Sequence, residues 1–201
     1  MSKYIKKFGK DYQKRVGHYP THSFLTDNSI ELANFLNDND VLKNGINVFE
    51  IGSGGCRNLK YINDLNDTIN LFANDLHSEA SFENMHESIK DKVKFIEMDT
   101  LSLIRDFKSV VTDDIDIFIS SDHLMHIDKE SVVEIIDKVK TIVKPKYILL
   151  RELFSEDGED LKRLWPRVYH EYNLEDTYSL IKVGECSKDP HWYSLKLYKR
   201  I

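Results

Sequence analysis

Between residues 48 and 59 the chain reads Val48-Phe49-Glu50-Ile51-Gly52-Ser53-Gly54-Gly55-Cys56-Arg57-Asn58-Leu59, an apolar run followed by closely spaced glycines. Such a turn lets the backbone approach a ligand with no Cβ in the way, and the amides that open the following helix point outward as donors. That chemistry suits a nucleotide. A carboxylate, Asp75, stands roughly 20 positions past Gly52, the separation at which nucleotide-binding sheets place an acceptor for a ribose diol. The other reading of Asp75 is a helix cap. Glu97-Met98-Asp99-Thr100 repeats the pattern with a third carboxylate, Asp99. Further on, Ser120-Ser121-Asp122-His123-Leu124-Met125-His126 gathers acid-base groups, with His123 and Asp122 as candidate proton acceptors. His123 and His126 could also pair on a metal, but no third ligand is evident, so no metal site is expected.

These segments share a position: each follows a short apolar run. Ile46 to Ile51, Ile69 to Ala73, Val93 to Met98, Ile115 to Ile119 and Tyr147 to Leu150 read as strands, alternating with segments of helical periodicity. That order predicts a parallel sheet covered by helices on both faces, with ligands beyond the carboxyl ends of the strands. The run at 115–119 is nearly continuous in apolar residues, which marks a central strand. Helices are expected at 58–65, at 78–89 with Ser78 as N-cap, and after Asp128, where Val132, Ile135, Ile136, Val139, Ile142 and Val143 form one stripe that Pro145 ends. A helix over Asn28 to Asn37, capped by Thr26 or Asp27, precedes the sheet. Tyr178 to Val183 and Trp192 to Tyr198 read as a terminal antiparallel pair, with helix as the alternative for the first.

The glycine segment resembles motif I of the class I S-adenosylmethionine-dependent methyltransferases, acidic-x-Gly-x-Gly-x-Gly, with Glu50, Gly52 and Gly54 in place and Cys56 at the third glycine. A dinucleotide fingerprint, G-x-G-x-x-G, would instead put its last glycine at Arg57, whose bulk obstructs close helix–strand packing. A nicotinamide-dependent oxidoreductase is thereby disfavoured. Asn74-Asp75-Leu76-His77 resembles the family's second acidic motif, the segment after 119 its post-strand region, and Lys144-Pro145 its Lys-Pro-Gly-Gly turn with both glycines absent. The resemblance covers roughly residues 46 to 152 and implies S-adenosylmethionine as cofactor. It implies a loop of Glu50, Gly52, Ser53 and Gly54, ribose binding by Asp75 and adenine packing by Leu76. Asp99 would receive the adenine amino group, Thr100 would lie near the ring, and Ser120 would line the site. The implied fold is a Rossmann-like three-layer α/β sandwich, its seven-stranded sheet mostly parallel and closed by a C-terminal antiparallel hairpin. Residues 1–44 would then form an N-terminal helical arm and site flap, and residues 45–201 the methyltransferase-like domain. The alternative function is a non-catalytic relative that binds an adenosyl group or a partner.

Composition narrows the acceptor. The 201 residues carry 28 Lys and Arg against 34 Asp and Glu, a formal charge of −6, which opposes broad adhesion to nucleic acid. The fourth-strand segment lacks the Asn-Pro-Pro-Tyr type of motif that stacks a flipped base, and lacks a Pro-Cys pair for attack on cytosine. A small-molecule acceptor is expected. The segment holding Lys3, Lys6, Lys7, Lys10, Lys14 and Arg15 leaves a protein or RNA acceptor open, with a solvated amphipathic helix as its plainer reading. His18 to His22 is either a flap over the site or an ordinary loop. Trp165, Tyr169, Tyr172, Trp192 and Tyr193 could wall an acceptor pocket or pack in the core. The two cysteines, Cys56 and Cys186, have no ligand spacing and read as free thiols. No stretch approaches the roughly 20 apolar residues of a membrane span and no secretory signal is seen, so a cytoplasmic protein is expected.

Overall fold

The computed structural model describes residues 23–76, 78–153, 173–185 and 193–201. The basic N-terminal segment, His18 to His22, Trp165, Tyr169, Tyr172, Cys186 and Trp192 lie outside the described residues.

Five parallel strands, β1 (Asn47–Ile51), β2 (Asn70–Asp75), β3 (Val93–Glu97), β4 (Ile117–Ser121) and β5 (Tyr147–Leu153), join an antiparallel pair, β6 (Tyr178–Glu185) and β7 (Tyr193–Arg200). The sheet order is β3-β2-β1-β4-β5-β7-β6. Strand order therefore reverses between β1 and β4, which opens a crevice at their carboxyl ends. The terminal pair is strand on both sides, as its turn residues suggested, and helix is excluded for 178–185.

Helices cover both faces, completing the three-layer sandwich. On one side α1 (Ser23–Asp38), α2 (Arg57–Leu65) and α4 (Glu87–Lys90) bring Leu32, Leu36, Leu59, Ile62 and Ile89 onto Val48, Leu71, Ala73, Ile117, Ile119 and Leu149. On the other, α5 (Thr100–Arg105), α6 (Phe107–Val110) and α7 (Lys129–Lys138) bring Leu103, Ile104, Phe107, Val132, Ile135 and Ile136 onto Phe49, Ile51, Phe72, Phe118, Ile148 and Leu150. The two clusters divide each strand by alternate residues, so the near-continuous apolar run of β4 feeds both cores.

Two sequence expectations are corrected and one gap is filled. The first helix starts at Ser23, so Thr26 and Asp27 sit within it and do not cap it; residues 23–27 contain no Gly or Pro to delay its start. The helix expected over 78–89 is two pieces, α3 (Ser78–Asn84) and α4. His86 separates them: its backbone is extended and its side chain accepts the Ser88 amide, a local cap that competes with continuation. The connection between β3 and β4 holds two short helices, α5 and α6, which the sequence reading left unassigned. By contrast α7 begins where Asp128 accepts the Ser131 amide at 3.0 Å. It runs through a π turn at Val139–Val143 to left-handed Lys144 and stops before Pro145.

Candidate functional site

At the switch point the chain leaves β1 through Gly52 and Gly54, both at positive φ, and through Cys56, which takes a φ of 56° at the mouth of α2. A left-handed turn suits glycine and strains other residues, so a cysteine there is unusual. Its thiol is fully buried, and desolvation pushes it up to about 12, which leaves it an inert core group. Among the described residues it is the free thiol expected for this position.

Asp75, at the end of β2, reaches across to this loop. One carboxylate oxygen accepts the Gly54 amide at 2.9 Å and the other accepts the Leu76 amide at 2.7 Å. The Ser53 amide donates to the Asn74 carbonyl at 3.0 Å. Two segments remote in sequence are thus stitched into one rim, and each Asp75 oxygen keeps a further lone-pair direction. Asp99 caps α5 by accepting the Ser102 amide at 3.1 Å. Thr100, the first residue of that helix, turns its hydroxyl inward, onto Asn74 at 3.1 Å and His123 at 2.8 Å.

His123 closes the crevice from the β4 side. A Cβ built on Gly52 would lie 2.1 Å from His123 Nδ1 and 2.2 Å from its Cγ, so the imidazole edge rests directly against this glycine. Only glycine permits that contact. Burial, with His126 nearby, pushes the His123 imidazole down to about 3, and burial likewise lowers His126. Both rings are neutral at physiological pH.

Two carboxylates of this region, Glu50 and Asp122, feel one another's charge. Glu50 is buried, accepts Asn58 Nδ2 at 2.5 Å through Oε1, and has no donor at Oε2. Desolvation pushes it up to about 8, against the opposing pull of Asn58, with Asp122 adding to the rise and Arg151 and Arg57 reducing it. Asp122 stands just past β4 in left-handed backbone, its Oδ2 on Arg151 at 2.8 Å and its Oδ1 without a donor. Its side chain keeps 29% of its surface, yet protein surrounds it closely enough that desolvation raises it too, opposed by Arg151.

Ser120, a cofactor-site candidate from sequence, spends its hydroxyl inside the protein. It is fully buried and donates to Glu152 Oε1 at 2.5 Å. The structure thus gathers Glu50, Gly52, Ser53, Gly54, Asp75, Asp122 and His123 at one rim, sets Leu76, Asp99 and Thr100 beside it, and commits Ser120 to Glu152.

Sequence reasoning passed over three residues. Glu152 accepts the His123, Leu124 and Met125 amides at 3.2, 3.1 and 3.3 Å, and burial pushes it up to about 7. Arg151 donates to Ser121 Oγ and Asp122, and its carbonyl accepts the Asp122 amide. Asn74, fully buried, links β2 to the segment after β3. The signal was present: an Asn inside an apolar strand, and a charged pair ending a central one, are polar groups that burial tolerates only with partners.

No family model matches the sequence, and no curated protein matches it. Solved structures do. The mitomycin 7-O-methyltransferase MmcR superposes with a TM-score of 0.68 at 12% identity, over 100% of this chain and 61% of that one. This chain therefore spans about three-fifths of that enzyme's length. A SAM-dependent methyltransferase from Aquifex aeolicus gives 0.64 at 16% identity, over 94% of this chain and 98% of that one. The small RNA methyltransferase HEN1 gives 0.64 at 13% identity, over 84% of this chain and 24% of that one. With its strand order, its antiparallel closing hairpin and its glycine turn at the switch point, the chain has the Rossmann-like fold of the class I S-adenosylmethionine-dependent methyltransferases.

Proposed function

We propose that this protein transfers a methyl group from S-adenosylmethionine to a small molecule. The observation that carries the reading is the rim itself, where the glycine turn is hydrogen-bonded to Asp75 beside two buried carboxylate oxygens, Glu50 Oε2 and Asp122 Oδ1, that lack donors. Buried acceptors of that kind are costly unless a donor arrives, and a cationic amino-acid group meets the need. The residues present therefore fit this cofactor. When bound, it supplies a methyl group already activated on a sulfonium.

The chain's own work is placement and exclusion of water. Glu50 and Asp122 would hold the cationic end, with Gly52, Ser53 and Gly54 shaping the turn around it. Asp75 would accept the ribose hydroxyls with its remaining lone pairs, Leu76 would pack on adenine, and Asp99 would meet the adenine amino group. Thr100 would act through His123 and Ser120 through Glu152, because both hydroxyls are engaged there. His123, or Asp122, would take the proton of an acceptor hydroxyl as the new bond forms.

The acidic net charge and the names of neighbours such as MmcR support a small molecule as acceptor. HEN1 as a neighbour keeps RNA in view for the basic N-terminal segment. Among the described residues no helix is long and apolar enough to cross a membrane, and no cluster of metal-ligating side chains occurs. The alternative, a protein that binds an adenosyl group without turnover, draws on Cys56, which takes left-handed backbone where the motif has glycine. Incubation with methyl-labelled S-adenosylmethionine and a panel of small hydroxyl- and amine-bearing acceptors, with RNA in parallel, separates these. Label appearing in a small molecule supports the proposal; label in RNA alone, or binding without transfer, contradicts it.

A further inference from the structure

The hydrogen bonds around His123 leave no freedom in where its proton sits. Asn74 Nδ2 lies 3.1 Å from the Ile96 carbonyl and 2.7 Å from the Met98 carbonyl. Carbonyls only accept, so the NH2 group must face them and both its protons are committed. The amide oxygen is thereby fixed toward Thr100, 3.1 Å from Oγ1. That oxygen also only accepts, so the single Thr100 hydroxyl proton points at Asn74. What Thr100 offers His123 Nε2, at 2.8 Å, is then a lone pair, and Nε2 must carry the hydrogen.

We infer that Asn74 and Thr100 are positioning residues that lock His123 as the Nε2–H tautomer, leaving the Nδ1 lone pair, packed beside Gly52, as the accepting ring nitrogen. Nδ1 makes no hydrogen bond among the described residues, and its place against Gly52 is set by the ring contact. The backbone that carries the ring is fixed independently, because the Glu152 carboxylate accepts three successive amides from 123 to 125. Ring and backbone are therefore held from separate elements, β2 with α5 in one case and β5 in the other. Burial keeps the imidazole uncharged, so the two neutral tautomers are the states to be distinguished. An accepting Nδ1 is the form a proton acceptor needs, but the tautomer assignment stands apart from methyl transfer, and either can fail alone.

Nitrogen-15 NMR of histidine-labelled protein at pH 7 tests it directly, since protonated and lone-pair ring nitrogens differ strongly in shift. His123 is assigned among the eight histidines by the signal lost in His123→Gln. The expected spectrum has a protonated Nε2 and a lone-pair Nδ1 in the wild type. Thr100→Ser, which keeps the hydroxyl, retains that pattern, whereas Thr100→Val releases it to averaged shifts. An Nδ1–H tautomer or an averaged pair in the wild type overturns the inference, and so does a Thr100→Val spectrum identical to the wild type. Should Thr100→Val not fold, the wild-type and Thr100→Ser spectra decide alone.

Discussion

On the face covered by α5 and α7, the rim groups Asn74, Thr100, His123, Ser120 and Glu152 are hydrogen-bonded to one another. On the face covered by α1 and α2, Glu50, Asn58 and Asp122 each keep a buried oxygen with no donor. The strands assign the groups to faces by simple alternation: Glu152 follows Leu150 toward one core, while Arg151 follows Leu149 toward the other. Completed hydrogen bonds give a rigid frame; incomplete ones give a place where a ligand's donors lower the energy. The satisfied face is thus the scaffold, and the unsatisfied face is the one on which the proposed function relies for the cofactor's cationic end.

The largest effect should come from breaking the charge balance of the unsatisfied face. Arg151→Met removes the guanidinium that Asp122 and Ser121 depend on and leaves a buried carboxylate uncompensated, a loss of about 3–5 kcal/mol. Urea unfolding checks this, and a change below about 1 kcal/mol would mean that water reaches Asp122 freely. On the satisfied face, Glu152→Leu orphans three amides and a hydroxyl. A loss of about 3 kcal/mol is expected, with Glu152→Gln recovering part of it because one acceptor oxygen remains.

The sequence marks Arg151 and Glu152 as a charged pair ending a buried strand, but not the partners that either variant would lose. The glycine turn, the strand-end carboxylates and the α7 stripe were legible because their signals are local: spacing, alternation, and a cap beside the residues it caps. Glu152 gains its meaning only from residues 120 to 125, brought alongside it by the pairing of β4 with β5. Asn74 likewise depends on the segment after β3. Asp99 read as a ligand contact, but it also caps a helix the sequence did not announce, because Thr100–Arg105 spans fewer than two turns and its periodicity does not repeat. The break at His86 escaped notice since Phe82, Met85 and Ile89 keep helical spacing across it.

A smaller effect distinguishes the faces by pH. Desolvation holds Glu50 at about 8, above its ordinary value of 4.5. Between those values the folded protein keeps a proton that the unfolded chain releases, so this group lowers stability as pH rises, by at most about 1.4 kcal/mol per unit. The Glu50→Gln protein should lack that decline between pH 5 and 8, as followed by unfolding midpoints across the range. A slope equal to that of the wild type would assign the decline to other groups, Glu152 among them.

The measurement that bears most directly on the rim as a cofactor site is calorimetric titration with S-adenosylhomocysteine, run beside NADH. One site that saturates with the adenosyl ligand and ignores the dinucleotide is predicted. Asp75→Ala should weaken it by roughly 1.5–3 kcal/mol, tenfold or more in Kd. No heat with the adenosyl ligand, binding of NADH in its place, or an Asp75→Ala protein that binds as tightly as the wild type would contradict the account.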